Sequence, residues 1–520
     1  MKISTLLSVT LWLYAAQAAA QVPPALLHEN LGLYDKQQFR LADGHCQDCA
    51  LMPQAAWYFQ TEPIAVPVSA APASLPPLIW LGSSQVLEDV RLSANHRSIE
   101  TRDGTQHAFN VVPKLATNRS YLDESSWRFF ANRPLKMRGE PDAQGGFVAR
   151  TLWPQDYRLL SAVRQPLQTS EDLKQLVQAE NGGAQSAFSS RLLWARSPGQ
   201  QNWQGKAVFG LMLNGAQGDD DEAHGGHFGI VTGRYSADGD WSNWLVNNIY
   251  NLDAYSEKAI VAAPTPMDKY LMDLNSGQSW YRPSYMLVAV MRDEAIPARY
   301  QSAINRVYHH FYRHDIVYDH SQANCSGISL DTFKRLGWQV PERGSEGELK
   351  AIAAWFYVAA TSGSLQDARK LYDYLTTETT RLYPAVAFDA MGNDLLALAQ
   401  GKASRTLNAF EQDMAGDIEA IFFVRIPQVP STRAFGLAPV YSFDQYLSQA
   451  PADRSQWQIV PTEPRPFPDS LRDGPAHKDS RHFPIPWPVM LVLAGLLGTL
   501  AILVRWLWRR RKNRWSLQIS

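Results

Sequence analysis

Hydrophobic and polar positions along the 520-residue chain change rhythm several times. From 21 to about 185, short apolar or β-branched runs (PLIWLG, SIETRDG, HAFNVV, GGFVARTLW) are bounded by Gly, Asp and Asn, which predicts a β-rich N-terminal domain. From 186 to 345 the strands lengthen: KAVFGLML, HFGIVTGR, NWLVNNIY and SYMLVAVM precede one helical stretch, PARYQSAINRVYHHFYR. From 346 to 449, GELKAIAAWFYVAATSG, LQDARKLYDYLTTETTRLY and DLLALAQGKASRTLNAFEQDMAGDIEAIF carry apolar residues three and four apart, which predicts a mostly helical region. The segment 450–484 is rich in Pro, Asp and Arg without periodicity and reads as a spacer. Two packed layers of different composition predict an α+β fold with no internal repeats.

The two ends alter the picture most. Residues 1–20, MKISTLLSVTLWLYAAQAAA, have the basic start, apolar stretch and small-residue close of a secretory signal, with cleavage expected before Gln21. Residues 485–508 hold an apolar run long enough to cross a bilayer. Residues 509–520 form a basic tail, which the positive-inside rule places in the cytoplasm. A removable sorting tail has the same composition, but the polar residues beyond the arginines favour a permanent anchor. The expected topology is single-pass, in a bacterial inner membrane, with the ectodomain in the periplasm.

Charge follows from that topology. Six of the 49 basic residues follow the apolar run and one, Lys2, lies in the signal, leaving 42 against 50 acidic residues, about −8 outside the cytoplasm. Such a surface offers nothing to nucleic acid. The 17 tryptophans fit a large core, interfacial contacts or a substrate platform.

Three cysteines carry the candidate chemistry. Cys46 and Cys49, in GHCQDC, lack a second ligand pair for a metal and are expected to form a local disulfide outside the cytoplasm. Cys325 stands alone in SQANCSGISL, where NCSGISLDTFKRLGW passes from loop to helix. Unpaired N–H groups at a helix start favour a thiolate, the nucleophilic form, and amides near Cys325 and Ser326 would hold an oxyanion. The candidate base is His227, which opens the HFGIVTGR strand after two glycines, an arrangement expected to leave its ring accessible. If Asp238-Gly239 is a two-residue hairpin turn, paired positions sum to 477 and Asn248 falls within diagonal reach of His227. A one-residue slip favours Asn247 instead.

HFGIV followed by an NCSG helix start, 97 residues apart, resembles the circularly permuted branch of the papain-like (NlpC-type) cysteine enzymes. That branch includes lecithin:retinol acyltransferase relatives and the Lnb-type periplasmic lipoprotein acyltransferase domain. The likeness covers about 140 residues and implies a papain-like permuted domain, Cys325 as nucleophile and His227 as base. Asn248 is the candidate third residue, at a position that varies within the branch. The implied activity is acyl transfer or hydrolysis through a thioester on lipid, lipoprotein or cell-wall substrates, with no cofactor.

Three other readings are open. A peptidoglycan amidase would use the same residues. A non-catalytic scaffold would keep the fold and bury the thiol. A metal hydrolase would draw on Asp219, Asp220, Asp221, Glu222 and His224 beside His227, or on His309, His310, His314 and His320, but the spacing fits a solvated loop and a helix surface better. Serine-enzyme and phosphate-loop motifs are missing from the sequence.

Overall fold

A computed structural model describes residues 26–42, 59, 62–68, 78–114, 122–159, 163–164, 166–197, 199, 202–216, 225–251, 260–313, 316, 318–430, 436–449, 453, 469–471 and 483–516. The signal, Cys46, Cys49, the acidic run 219–222, His224 and His314 lie outside the described residues.

The described residues form a mixed α and β structure with twelve α-helices and three sheets. Its centre is an eight-stranded sheet built from β10 (Val163–Arg164), β11 (Ser189–Ala195), β12 (Ala207–Asn214), β13 (His227–Arg234), β14 (Leu245–Asn251), β15 (Ile260–Pro266), β16 (Ser284–Met291) and β17 (Ile418–Ile426). The spatial order is β10-β11-β17-β16-β12-β13-β14-β15, antiparallel except for β10 with β11. The central strands read as unbroken apolar runs because both faces are covered. Phe209, Leu211 and Leu213 face the helices Glu171–Gly183, Ala295–Tyr312, Cys325–Leu336 and Pro384–Gln400. Val208 and Met212 face the other way, onto a core shared with the N-terminal β-region through Trp153, Trp241 and Trp280.

That region holds a three-stranded sheet, β1 (Phe39–Ala42), β2 (Ile64–Pro67) and β3 (Ile79–Trp80). It also holds a six-stranded one, β4 (Gln85–Leu92), β5 (Ser98–Glu100), β6 (Gln106–Val111), β7 (Leu135–Pro141), β8 (Phe147–Ala149) and β9 (Trp153–Pro154). Buried charges join it to the helix Met267–Met272 that follows β15 and to its C-cap: Arg138 Nε donates to Asp268 at 2.8 Å, and Arg150 Nε to Asp273 at 2.6 Å. Buried ions need such partners, because removing one leaves the other uncompensated.

Two expectations are corrected here. The helix predicted to run through DMAGDIEAIF stops at Asp417, and β17 follows at once, between β11 and β16. Asp417 anchors the change by accepting the Asp293 N–H at 2.9 Å, and IEAIFFVRI is buried on both faces, which a strand at the centre of a sheet requires. The β13–β14 connection is not a two-residue hairpin. It spans 235–244, with a turn in which Gly239 N–H donates to Ser236 O at 3.2 Å. The register is nonetheless the expected one, Ile230 opposite Asn247 and Thr232 opposite Leu245.

Among the described residues, one helix is long and apolar enough to cross a membrane, Trp487–Arg510, with 24 residues and a mean hydropathy of 2.3.

Candidate functional site

The sequence NCSG is explained residue by residue. Asn324, in extended backbone, caps the Cys325–Leu336 helix by accepting the Gly327 N–H at 2.7 Å. Its Nδ2 donates to His320 O and to Arg381 O, both at 2.9 Å, so one side chain fixes the helix start to two flanking segments. Gly327 is needed for close approach: a Cβ there would lie 2.9 Å from Arg381 Cγ. Gly337, at φ 117°, ends the helix in left-handed backbone. An Asn324→Ala chain should therefore be less stable by about 1–2 kcal/mol, read as a lower urea midpoint, while Asn324→Ser should recover part of the loss by restoring a cap acceptor.

Cys325 is a free cysteine and is 7% exposed. Its sulfur accepts from the Phe228 and Ser326 N–H groups and from the Tyr318 hydroxyl. The Ser326 hydroxyl lies 4.0 Å from the sulfur. The β13–β14 ladder ends at Ile230 opposite Asn247, so Phe228, two residues earlier, lies beyond its last pair. Burial is the largest influence and pushes the thiol pKa up in spite of these donors. The resting group is a thiol, so the helix-start argument for a thiolate is overturned by desolvation.

His227 immediately precedes Phe228. Its Nε2 bonds Asn248 Oδ1 at 2.7 Å. An amide oxygen only accepts, so Nε2 carries the proton and the lone pair lies on Nδ1. The ring is 2% exposed rather than accessible. Burial, followed by the positive charge of Arg282, lowers its pKa from 6.5 to about 3, while the Asn248 bond works in the opposite direction. Asn247 points to the opposite face of the sheet. There it donates to Ile230 O at 3.3 Å and exchanges hydrogen bonds with Gln301, which also accepts from Thr232. The two adjacent asparagines thus separate into an imidazole partner and a core bracket.

Several contributors carry no motif. Asn214, opposite His227 across β12–β13, accepts from the Tyr270 hydroxyl and donates to Ser284 Oγ at 2.8 Å. Ser284, Asn214, His227 and Asn248 form a buried polar row across the strand ends. Arg282, 2% exposed, donates from Nε to Gln278 Oε1 at 2.9 Å and from Nη1 to Gly215 O at 3.3 Å, and pairs with no carboxylate among the described residues. The only legible signal for Asn214 was a polar residue ending an apolar strand.

Of the other described histidines named above, His320 borders the site through Asn324 and Tyr318. His309 and His310 lie on the Ala295–Tyr312 helix, and His320 packs edge-on against Tyr318. Among the described residues, no three His, Cys, Asp or Glu side chains are grouped to hold a metal ion. A cavity of about 640 Å³ lined by Phe129, Arg133, Tyr157 and Phe188 involves neither Cys325 nor His227. No family model, curated protein or solved structure matches the chain.

Proposed function

We propose that the chain is a membrane-anchored thiol acyltransferase or hydrolase of papain-like type, acting in the periplasm on envelope lipid or lipoprotein. What supports this reading is backbone proximity: the Cys325 sulfur meets the N–H of Phe228, next to His227, whose ring Asn248 orients on the Asn214 and Tyr270 side of the sheet, across β13 from the Cys325 helix. For the chemistry the His227 side chain must turn at the start of β13 to bring Nδ1 to the sulfur; its lone pair then takes the thiol proton as sulfur attacks an acyl carbonyl, and a thioester forms as the C–O or C–N bond to the leaving group breaks. The imidazolium returns the proton to that leaving group. Water or an amine then releases the acyl group by the same route. On this reading the Ser326 N–H, at the helix start, turns from the sulfur to the developing oxyanion. Because thiol and imidazole both rest neutral, the proton moves during the attack rather than before it.

A second reading draws on burial. A sulfur 7% exposed and a ring 2% exposed suit a scaffold that keeps the fold without the chemistry. The two are separated by intact-mass measurement of the full chain in vesicles of phosphatidylethanolamine and phosphatidylglycerol, with a diacylated lipopeptide and a cell-wall peptide in parallel. A hydroxylamine-labile acyl adduct on the Cys325 peptide is expected with lipid or lipopeptide. An adduct only with the cell-wall peptide points to an amidase, and none with any of the three leaves the scaffold.

A further inference from the structure

The helix Glu348–Ser362 is apolar on the face that should meet water. Its inner face, Ala351 and Trp355, packs on Ala368, Tyr372 and Leu375 of the helix Leu365–Thr376 and on Val489. Its outer face exposes Leu349 at 84% and Tyr357 at 70%, with Ala353 and Ala360 exposed between and beyond them, and half-buried Ile352 and Phe356 alongside. Spacings of four, four and three put 349, 353, 357 and 360 on one stripe without a charge. A water-facing helix carries charged residues there, whereas a helix apolar all round belongs in a core or against lipid.

The pair is fastened where the chain enters its apolar C-terminal helix. Trp355 Nε1 donates to Pro484 O at 3.1 Å, Arg369 Nη1 to Phe483 O at 2.9 Å, and Val489, in the first turn of that helix, is fully buried in the shared cluster. Phe483 and Trp487, at the same junction, are exposed at 63% and 69%. Exposed aromatics at one end of an apolar span mark the bilayer–water boundary.

We propose that the Glu348–Thr376 helix pair is a membrane-interface element, its Leu349–Tyr357 stripe immersed among lipid acyl chains beside the spanning helix. The occupant is lipid rather than a second copy because the helix pair is fastened to the first turn of the helix that enters the bilayer, beside the exposed Phe483 and Trp487. This rests on the anchoring reading above, but not on catalysis. It also bears on substrate: the Arg381 carbonyl that holds Asn324 follows five residues after this pair, so the Cys325 helix start is tied to an element resting on lipid.

The test uses the full chain in phosphatidylethanolamine–phosphatidylglycerol vesicles, with p-benzoylphenylalanine placed singly at Leu349, Tyr357, Leu497 or the distant, exposed Arg102. After irradiation, lipid adducts at Leu349 and Tyr357 should exceed those at Arg102 by about tenfold, as at Leu497. Adducts at Leu497 with only the Arg102 level at Leu349 and Tyr357 overturn the proposal and leave the anchor standing. Crosslinks from Leu349 or Tyr357 to another copy of the chain overturn it in favour of self-association. The Arg102 level at Leu497 removes the anchor, and the proposal with it.

Discussion

Exchanging one atom, sulfur for oxygen in a Cys325→Ser chain, should lower acyl turnover by about four orders of magnitude and leave folding intact. The hydroxyl fits the same space and can accept the same Phe228, Ser326 and Tyr318 donors, so stability should change by less than about 1 kcal/mol. What is lost is ionisation: a hydroxyl yields its proton far less readily, and an imidazole lowered to about 3 is a weak base with which to take it. His227→Ala should cost nearly as much, and the double variant little more than either, because the two side chains act in one step. Asn248→Ala should cost about 10- to 100-fold, since it orients the ring without touching substrate. Turnover of Cys325→Ser within a factor of a few of wild type, in the vesicle assay that detects the adduct, would remove the thiol from the chemistry.

The geometry of this site was legible in the sequence where it depended on short-range order. HFGIVTGR and NWLVNNIY had the period of paired strands, and the register they imply brings Asn248 to His227 at 2.7 Å. The loop joining them differs from the hairpin expected, yet the register is unchanged, because each strand must present a particular face to a buried layer and a slip would invert Asn247 and Asn248. The helix beginning at Cys325 and the apolar helix near the C-terminus were legible for the same reason, one from its cap and glycine stop, the other from length. Depth was not legible. Whether a thiol at a helix start becomes a thiolate depends on what covers it, and here the cover includes Tyr318 and the strand edge at Phe228. Arg282, Asn214 and Tyr270 join the site from 13 to 55 positions away from His227, with no local pattern to mark them. β17 was missed because its leading IEAIF continues a helical spacing, and only the partners β11 and β16 make it a strand.

The buried imidazole has a consequence that needs no substrate. In the unfolded chain His227 titrates near its ordinary 6.5, whereas in the folded chain it titrates at about 3. Below pH 6.5 the unfolded chain takes up a proton that the folded chain refuses, so folding weakens as pH falls, by about 1.4 kcal/mol per unit at full slope. Above pH 6.5 both forms are neutral and the site contributes no slope. Asp273, held below the usual carboxylate range by Arg150 and Lys269 against the opposing effect of its own burial, adds a loss only as pH approaches the ordinary carboxylate values. The window from about pH 6.5 to about pH 4.5 therefore carries the histidine loss, opposed at its acid end by Asp389 and Asp417, whose carboxyls burial pushes up. His309, lowered by partial burial and by Arg313, contributes there too, so the difference between wild type and His227→Gln isolates the site. Urea titrations at half-unit steps should show the wild-type midpoint falling with acid and the His227→Gln midpoint falling distinctly less. Arg282→Gln removes a cation that lowers the imidazole, raising its folded pKa and shortening the window from the acid side. The same burial sets the rate profile: with the base unprotonated throughout, turnover should stay flat from about pH 5 to about pH 7.5, without an acid limb near 6.5. An acid limb at 6.5, together with equal urea slopes for wild type and His227→Gln, would mean that water reaches the ring and that the buried dyad is not the working state.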